Sequence, residues 1–249
     1  MTRTRNTLRA LVLRTRAYRE SSLLVDFFTR ERGRVSGVQK GYRSRKSQRA
    51  IQPFLAGELD SSMRPGLVNI YAFDTTDDLT PVPGDYASGF YLLELIFRAI
   101  GEGQEEPDLY DMLLLTLAAL KAGAPAAVLL RQFERRLLED LGYGVNFDVV
   151  VDAVDSTDEA DSVEINDERG LKAYTFTHDA GLMLCHSEEP EPELKYTASE
   201  LVDIAAENYD RPGVISRARR LFQYALIPLI GDKPLESRKL LDQPHSHEA

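Results

Sequence analysis

The sequence predicts an α+β protein in which an N-terminal five-stranded OB-fold barrel precedes a mainly α-helical domain with a small β-rich insertion. Up to about residue 74, β-branched and aromatic residues occur in short runs bounded by turn residues, which is typical of strands. Beyond residue 86, apolar residues recur with the spacing of amphipathic helices. Five strands in about 70 residues match the size of the OB-fold, a small closed barrel.

The candidate strands cover residues 8–16, 22–29, 33–40, 54–60 and 67–73. Residues 74–85 follow them with two prolines and four acids, a composition typical of a linker. The predicted domains are therefore an OB-fold domain over 1–78, a helical domain over 79–241 and a disordered tail over 242–249.

Three helices are predicted after the linker, over 86–100, 108–122 and 125–141, and Gly142 is positioned to end the third in a left-handed conformation. Residues 171–185 predict a hairpin that turns between His178 and Gly181. Thr197 and Glu200 have the spacing of a capping box ahead of a helix over 198–209, and a last helix is predicted over 212–230. Between these elements, residues 148–169 hold nine acids and one base, which indicates an exposed loop.

The charges are distributed unevenly along the chain. Residues 1–50 contain 14 Lys and Arg against three acids, whereas the other 199 residues contain 16 basic and 37 acidic side chains. A module of such positive charge attracts phosphate, while the acidic remainder keeps the protein in solution. The alternative is a solvated basic surface without a ligand.

The motifs of the common enzyme classes are missing from the sequence. It contains neither a G-x-x-x-x-G-K-[ST] phosphate loop nor G-x-G-x-x-G, and none of its four histidines belongs to an H-E-x-x-H pair. Cys185 is the only cysteine, so neither an intramolecular disulfide nor a cysteine-based zinc site is available. We therefore expect no catalytic residues, metal or cofactor, although a metal-dependent hydrolase using the acids of 148–168 is a third, weaker hypothesis.

The chain also lacks a run of about 20 apolar residues and a secretory signal, so we expect a cytoplasmic protein with no membrane contact.

A cluster of cations is the candidate nucleic-acid site. Lys40, Arg43, Arg45, Lys46 and Arg49 fall within ten residues, just beyond a predicted strand, where they can neutralise several phosphates without reading base sequence. Tyr42 lies inside this cluster and either stacks on a base or packs against the barrel. The cations of the preceding hairpin turn extend the predicted surface, namely Arg30, Arg32 and Arg34.

Three segments resemble the bacterial RecO recombination mediator family. They are LVLRTRAYRESSLLVDFFTRERGRVSGVQKGYRSRKS with QPF at 52–54, RQFERRLLEDLGYGVNF at 131–147, and GDKPLESRKLL at 231–241. The resemblance implies an OB-fold joined to a helical domain, and a nucleoid-associated DNA repair protein that is not an enzyme. It further implies binding to single- and double-stranded DNA, strand annealing, contact with the acidic tail of single-stranded DNA-binding protein, and loading of RecA together with RecR.

Two further points follow from the resemblance. Arg131 matches a basic residue that the family uses for the acidic tail, whose terminal carboxylate suits a guanidinium. Many members carry a four-cysteine zinc site, which a chain with Cys185 alone cannot form. The competing hypothesis is a protein-interaction adaptor whose basic module binds an acidic partner rather than DNA.

Overall fold

The computed structural model describes residues 7–42, 51–62, 66–150, 173–185, 195–231 and 233–241. Its first five strands close into a barrel of order β1–β2–β3–β5–β4. They are Thr7–Tyr18 (β1), Ser22–Thr29 (β2), Gly33–Gln39 (β3), Leu55–Ser61 (β4) and Val68–Asp78 (β5). All neighbours are antiparallel except β3 and β5, which are parallel. The predicted OB-fold barrel is confirmed.

Alternation along the strands explains why the barrel forms. Every second side chain of β1 and β2 points into the barrel, and the side chains between them point outward. The side chains that share the barrel interior are Leu8, Ala10, Val12, Leu23, Val25, Phe27, Ile51, Leu55, Leu59 and Ile70. Tyr42 and Phe73 pack against this cluster from its rim. Of the two roles predicted for Tyr42, the structure therefore selects packing against the barrel.

Helices and a small sheet make up the rest of the described chain. The helices are Tyr86–Ala99 (α1), Pro107–Lys121 (α2), Ala126–Asp140 (α3), Ala198–Ala205 (α4), Val214–Ala225 (α5), Ile227–Ile230 (α6) and Glu236–Leu241 (α7). The sheet has the order β7–β6–β8, from strands Ala173–Thr177 (β6), Gly181–Leu184 (β7) and Lys195–Thr197 (β8). The β6–β7 hairpin was predicted, whereas the three-residue β8 is too short for a sequence pattern.

The local signals for helix ends are confirmed. Gly142 has φ of 81°. Its N–H donates to the Glu139 carbonyl at 3.1 Å, and that of Tyr143 donates to the Leu138 carbonyl at 2.7 Å, which is the Schellman arrangement. At the start of α4, the Glu200 N–H donates to the Thr197 hydroxyl at 3.2 Å and the Thr197 N–H donates to the Glu200 carboxylate at 2.9 Å.

Three predicted boundaries were wrong by four residues or more. The helix predicted over 198–209 ends at Ala205, and Glu207 just beyond it has a φ of 56°. β5 continues to Asp78, inside the predicted linker, because the start of β4 pairs with its polar last residues. These residues lie on an exposed stretch, where burial imposes no apolar alternation. The predicted helix over 212–230 is interrupted at Leu226, since Pro228 in the next turn has no N–H to continue the helical ladder.

The chain divides into two compact units. The first is Met1–Ala126 with Lys233–Ala249, and the second is Ala127–Asp232. In the first unit, the Glu94 carboxylate on α1 accepts hydrogen bonds from the Ser237 N–H and hydroxyl on α7, at 2.8 and 2.6 Å. The predicted boundary at 78 marks the change from strands to helices, whereas α1 and α2 belong to the same unit as the barrel. The predicted tail, 242–249, lies outside the described residues.

None of the helices in the described ranges is both long and apolar enough to cross a membrane.

Candidate nucleic-acid interface

The outer surface of the barrel is largely covered along β2. Seven of the eight residues of this strand are buried, so both of its faces are packed. On the outer face the ring of Phe28 meets that of Tyr110 on α2, with centroids 5.6 Å apart. OB-folds commonly receive nucleic acid on strands 2 and 3. In this protein the middle of that surface is occupied by helices of the same unit.

A polar network fixes this covered surface. The Arg14 guanidinium on β1 donates to the Asp26 carboxylate at 2.6 Å, and Asp26 also accepts from the Ser36 hydroxyl at 2.5 Å. The guanidinium of Arg14 lies 3.5 Å from the ring centroid of Phe97 on α1, and that of Arg34 lies 4.4 Å from the same centroid. These two cations are engaged in holding α1 on the barrel.

Arg30 likewise has a partner within the protein. Its guanidinium forms a bidentate pair with Asp111 on α2, with nitrogen–oxygen distances of 2.9 to 3.0 Å. This hydrogen bonding lowers the pKa of Asp111 below its ordinary value and raises the pKa of Arg30. A phosphate would have to displace a carboxylate that already matches the guanidinium fork.

The structure separates the predicted cations into two groups. Arg30, Arg32 and Arg34 flank the β2–β3 turn, which is closed by the pair Thr29 and Gly33, whereas Lys40 follows Gln39, whose partner is Leu23. Gly33 and Gln39 are six positions apart along β3, which is about 20 Å at 3.3 Å per residue. The turn cations therefore do not extend the surface around Lys40, and a DNA contact for them stays a prediction.

The end of the barrel at Lys40 carries two further cations, Arg16 and Arg19. We call this end the hairpin end and define it by Arg16, Tyr18, Arg19 and Lys40. Arg16 on β1 lies opposite Leu24 on β2, and Leu24 lies opposite Val38 on β3. Tyr18 lies opposite Ser22 at the tip of the β1–β2 hairpin. Arg16, Arg19 and Lys40 are exposed. Within the described part of the chain, none of the three forms an ion pair. Their charges are available to a polyanion.

The sequence analysis did not identify Arg16 and Arg19, because the cations are densest in residues 40–49 and the prediction was placed there. The signal that identifies them is the register of the strands, which places the end of β1 and the end of β3 on either side of the start of β2. Arg43, Arg45, Lys46 and Arg49 lie outside the described residues, so their role stays a prediction.

The opposite side of the barrel is acidic. β4 and β5 contain no lysine or arginine. Their outward-facing or exposed acids are Glu58, Asp60, Asp74, Asp77 and Asp78. Glu58 and Asp74 are directly opposite each other across the two strands. A polyanion that approaches this barrel is attracted to the hairpin end and repelled from β4 and β5.

In the second unit, Arg131 is buried rather than exposed at the edge of a groove. Its side chain is 4% exposed, and its guanidinium forms a 2.6 Å ion pair with Glu134, which is fully buried on the same face of α3. Arg135 donates to the Ala205 carbonyl at 2.7 Å and to Glu139 at 2.9 Å. A groove of about 430 Å³ opens beside them, lined by Gln132, Arg135, Arg136, Glu139, Ala205, Ala206 and Glu207.

The described residues contain no group of three or more His, Cys, Asp and Glu side chains that could hold a metal ion. Cys185 is buried. The Nε2–H of His178 donates a 2.8 Å hydrogen bond to the Tyr224 carbonyl, since a carbonyl oxygen can only accept.

A closed five-stranded barrel of this order, followed by helices and a small sheet, defines an OB-fold protein with a helical C-terminal region. Residues 1–77 match the family Recombination protein O N terminal, and residues 83–202 match Recombination protein O C terminal. The chain belongs to the RecO family of DNA repair proteins.

Similar full-length relatives support the same family. The DNA repair protein RecO of Pseudomonas putida (strain W619) is 38% identical over 232 residues, covering 93% of this chain and 95% of the relative. That of Pseudomonas entomophila (strain L48) is also 38% identical over 232 residues, with the same coverage. That of Pseudomonas aeruginosa (strain LESB58) is 34% identical over 233 residues, covering 92% and 91%.

Proposed function

We propose that this protein binds DNA through the hairpin end of its barrel and acts as a mediator of repair and recombination that is not itself an enzyme. The observation that carries the proposal is the set of exposed cations Arg16, Arg19 and Lys40, gathered at one end of a barrel whose β4–β5 side is acidic. Contacts of this kind recognise phosphate and are independent of sequence. The predicted cations Arg43, Arg45, Lys46 and Arg49 directly follow Lys40 in the chain and would add to the same attraction.

Family membership supports the finer roles that we propose. These are binding of single- and double-stranded DNA, annealing of complementary strands, contact with the tail of single-stranded DNA-binding protein, and loading of RecA together with RecR. A protein with these roles works where bacterial DNA is found, in the cytoplasm at the nucleoid. An electrostatic mechanism needs no resident cofactor, because phosphate neutralisation alone allows two strands to approach.

For the acidic tail we propose a site on α3 in the second unit. Arg131 is held by the buried carboxylate of Glu134, and a tail carboxylate that displaced Glu134 would leave it buried without this ion pair. We therefore propose that Arg131 shares this role with Arg135 and Arg136, which line the adjacent groove and can meet the acidic tail first. This groove is lined mostly by polar and charged side chains, with two alanines as its apolar members, so its arginines suit the acidic residues of such a tail.

Annealing of complementary oligonucleotides tests the proposed function. We expect this protein to speed annealing in EDTA and without nucleotide, because the step depends only on charge neutralisation. The measurement follows a fluorophore and a quencher carried on the two strands. Acceleration that appears only with ATP or Mg²⁺ would contradict the proposal.

Arg19 offers a second test, since it combines a cation with a strained backbone. Its φ of 52° is unfavourable for any residue with a Cβ. Arg19→Gly relieves a strain of about 1–2 kcal/mol and adds an entropic cost of about 0.5–1 kcal/mol, so the free energy of unfolding should rise by about 0.5–1 kcal/mol. The same change loses one phosphate contact, worth about 0.7 log unit in single-strand affinity at 0.1 M salt.

Arg19→Ala is the matched control, because it removes the cation and keeps the strain. It should show the same loss of DNA affinity with no gain in stability. Unfolding in urea and fluorescence anisotropy with a labelled oligonucleotide measure the two quantities. If Arg19→Gly binds DNA as the parent does, Arg19 makes no phosphate contact.

A further inference from the structure

We propose that Tyr18 is a stacking site for an unpaired nucleobase, so that the hairpin end distinguishes single-stranded DNA from duplex. This inference rests on the proposed DNA-binding function and adds the class of ligand that the site prefers. The observation behind it is an accessible aromatic ring placed among the exposed cations of the hairpin end.

The register determines where the ring lies. Arg16 and Tyr18 are two residues apart in a regular part of β1, so their side chains share one face of the strand. Arg16 is directly opposite Leu24, and the flanking residues Leu23 and Val25 belong to the barrel interior. Arg16 and Tyr18 therefore lie on the outer face of the barrel. On this face α1 and α2 contact residues nearer the β2–β3 turn, such as Arg14 and Phe28.

Arg19 adds a cation to the ring itself. The central carbon of its guanidinium lies 5.2 Å from the centroid of the Tyr18 ring, within the range of a cation–π contact. Because Arg19 lies over one face of the ring, a stacking base takes the other face and has a positive charge within reach, where the phosphate of the same nucleotide can be neutralised. Arg19 holds this position in a left-handed conformation, φ 52°, and strain of this kind tends to be retained at binding sites.

The other aromatic side chain near the predicted cluster is that of Tyr42, and its contacts are within the protein. Tyr42 packs against the barrel core, so its ring already has apolar neighbours. Tyr18 is partly buried as well, but it does not belong to this core contact, and its hydroxyl has no hydrogen-bond partner among the described residues. Tyr18 is thus the aromatic of the hairpin end that a ligand can reach.

The chemistry of the ring selects single strands. In a duplex each base is already stacked between its neighbours, whereas the bases of a flexible single strand have free faces. Stacking on an aromatic side chain is tolerant of sequence, since every base has such a face. The cations of the hairpin end attract both forms of DNA, so the preference between them comes from Tyr18.

The test compares ligands that differ only in whether they carry bases. Binding of the full-length protein is measured by anisotropy to a labelled oligo-dT, to an abasic strand of the same length, and to a blunt duplex. We expect Tyr18→Ala to weaken oligo-dT binding about tenfold, to change abasic and duplex binding less than twofold, and to leave the salt dependence unchanged. Tyr18→Phe should bind as the parent does.

Two controls keep the result specific. Tyr86→Ala removes an exposed tyrosine from α1 in the same compact unit and should change none of the three affinities. Tyr18→Leu keeps an apolar side chain without a π face and should weaken oligo-dT binding as Tyr18→Ala does. It replaces the alanine variant if thermal unfolding, followed by circular dichroism, shows that variant to be unstable.

The outcomes separate this inference from the proposed function. Unchanged oligo-dT binding by Tyr18→Ala, or an equal loss for oligo-dT and the abasic strand, would overturn the stacking site. The proposed function fails separately, if Arg16→Glu with Lys40→Glu leaves binding to the abasic strand unchanged.

Discussion

Arg131→Ala is expected to lower the free energy of unfolding by about 3–5 kcal/mol. The substitution removes the guanidinium that pairs at 2.6 Å with Glu134, whose side chain is fully buried. A carboxylate that loses this partner retains the cost of leaving water without the attraction that offsets it. Unfolding in urea, followed by circular dichroism of the helices, measures the change.

Arg136→Ala is the matched control for this prediction. Arg136 is five residues along the same helix, its side chain is 53% exposed, and it pairs with Asp140 at 2.8 Å. An exposed pair of this spacing contributes about 0.5 kcal/mol or less. Replacing both partners of the buried pair, as in Arg131→Met with Glu134→Leu, should be far less destabilising than Arg131→Ala. Equal stability of Arg131→Ala and the parent would contradict the buried ion pair.

This expectation changes how the tail site must be tested. A loss of tail binding by Arg131→Ala has two causes, a missing contact and a destabilised α3. The comparison is informative only in buffer without urea, at a temperature where circular dichroism shows the variant to be folded. Arg220→Ala, at an exposed position of the same unit outside the groove, is measured beside it.

The second large effect concerns DNA. Arg16→Glu combined with Lys40→Glu should weaken single-strand binding at 0.1 M salt by at least about 25-fold, since two lost phosphate contacts remove about 1.4 log units of counterion release. The two new carboxylates add repulsion to that loss. Neither residue has an ion-pair partner among the described residues, so the fold should retain its stability within about 0.5 kcal/mol.

The strands were predictable from short apolar and β-branched runs bounded by turn residues, and the helices from the helical spacing of their apolar residues. Gly142 and the Thr197 capping box mark helix ends through local geometry. The end of β5 escaped prediction because its last residues are exposed and lack such an apolar run.

The candidate site was only partly predictable, because the availability of a cation depends on residues far away in the sequence. Arg30 is neutralised by Asp111, 81 positions away, and Arg34 donates to the Phe97 carbonyl, 63 positions away. A local pattern cannot reveal such pairs. For Arg131 the partner was visible at i+3 in the sequence, but the burial of both side chains was not.

The salt dependence of oligonucleotide affinity tests the central claim most directly. The slope of log K against log salt is measured for the parent, for Arg16→Glu with Lys40→Glu, and for Lys233→Glu with Lys239→Glu, which makes the same change in charge at exposed positions elsewhere in the same compact unit. We predict that the hairpin-end variant loses about 1.4 units of slope on single strands and that the control keeps the slope of the parent. Equal slopes for the two variants would contradict the assignment of DNA binding to the hairpin end.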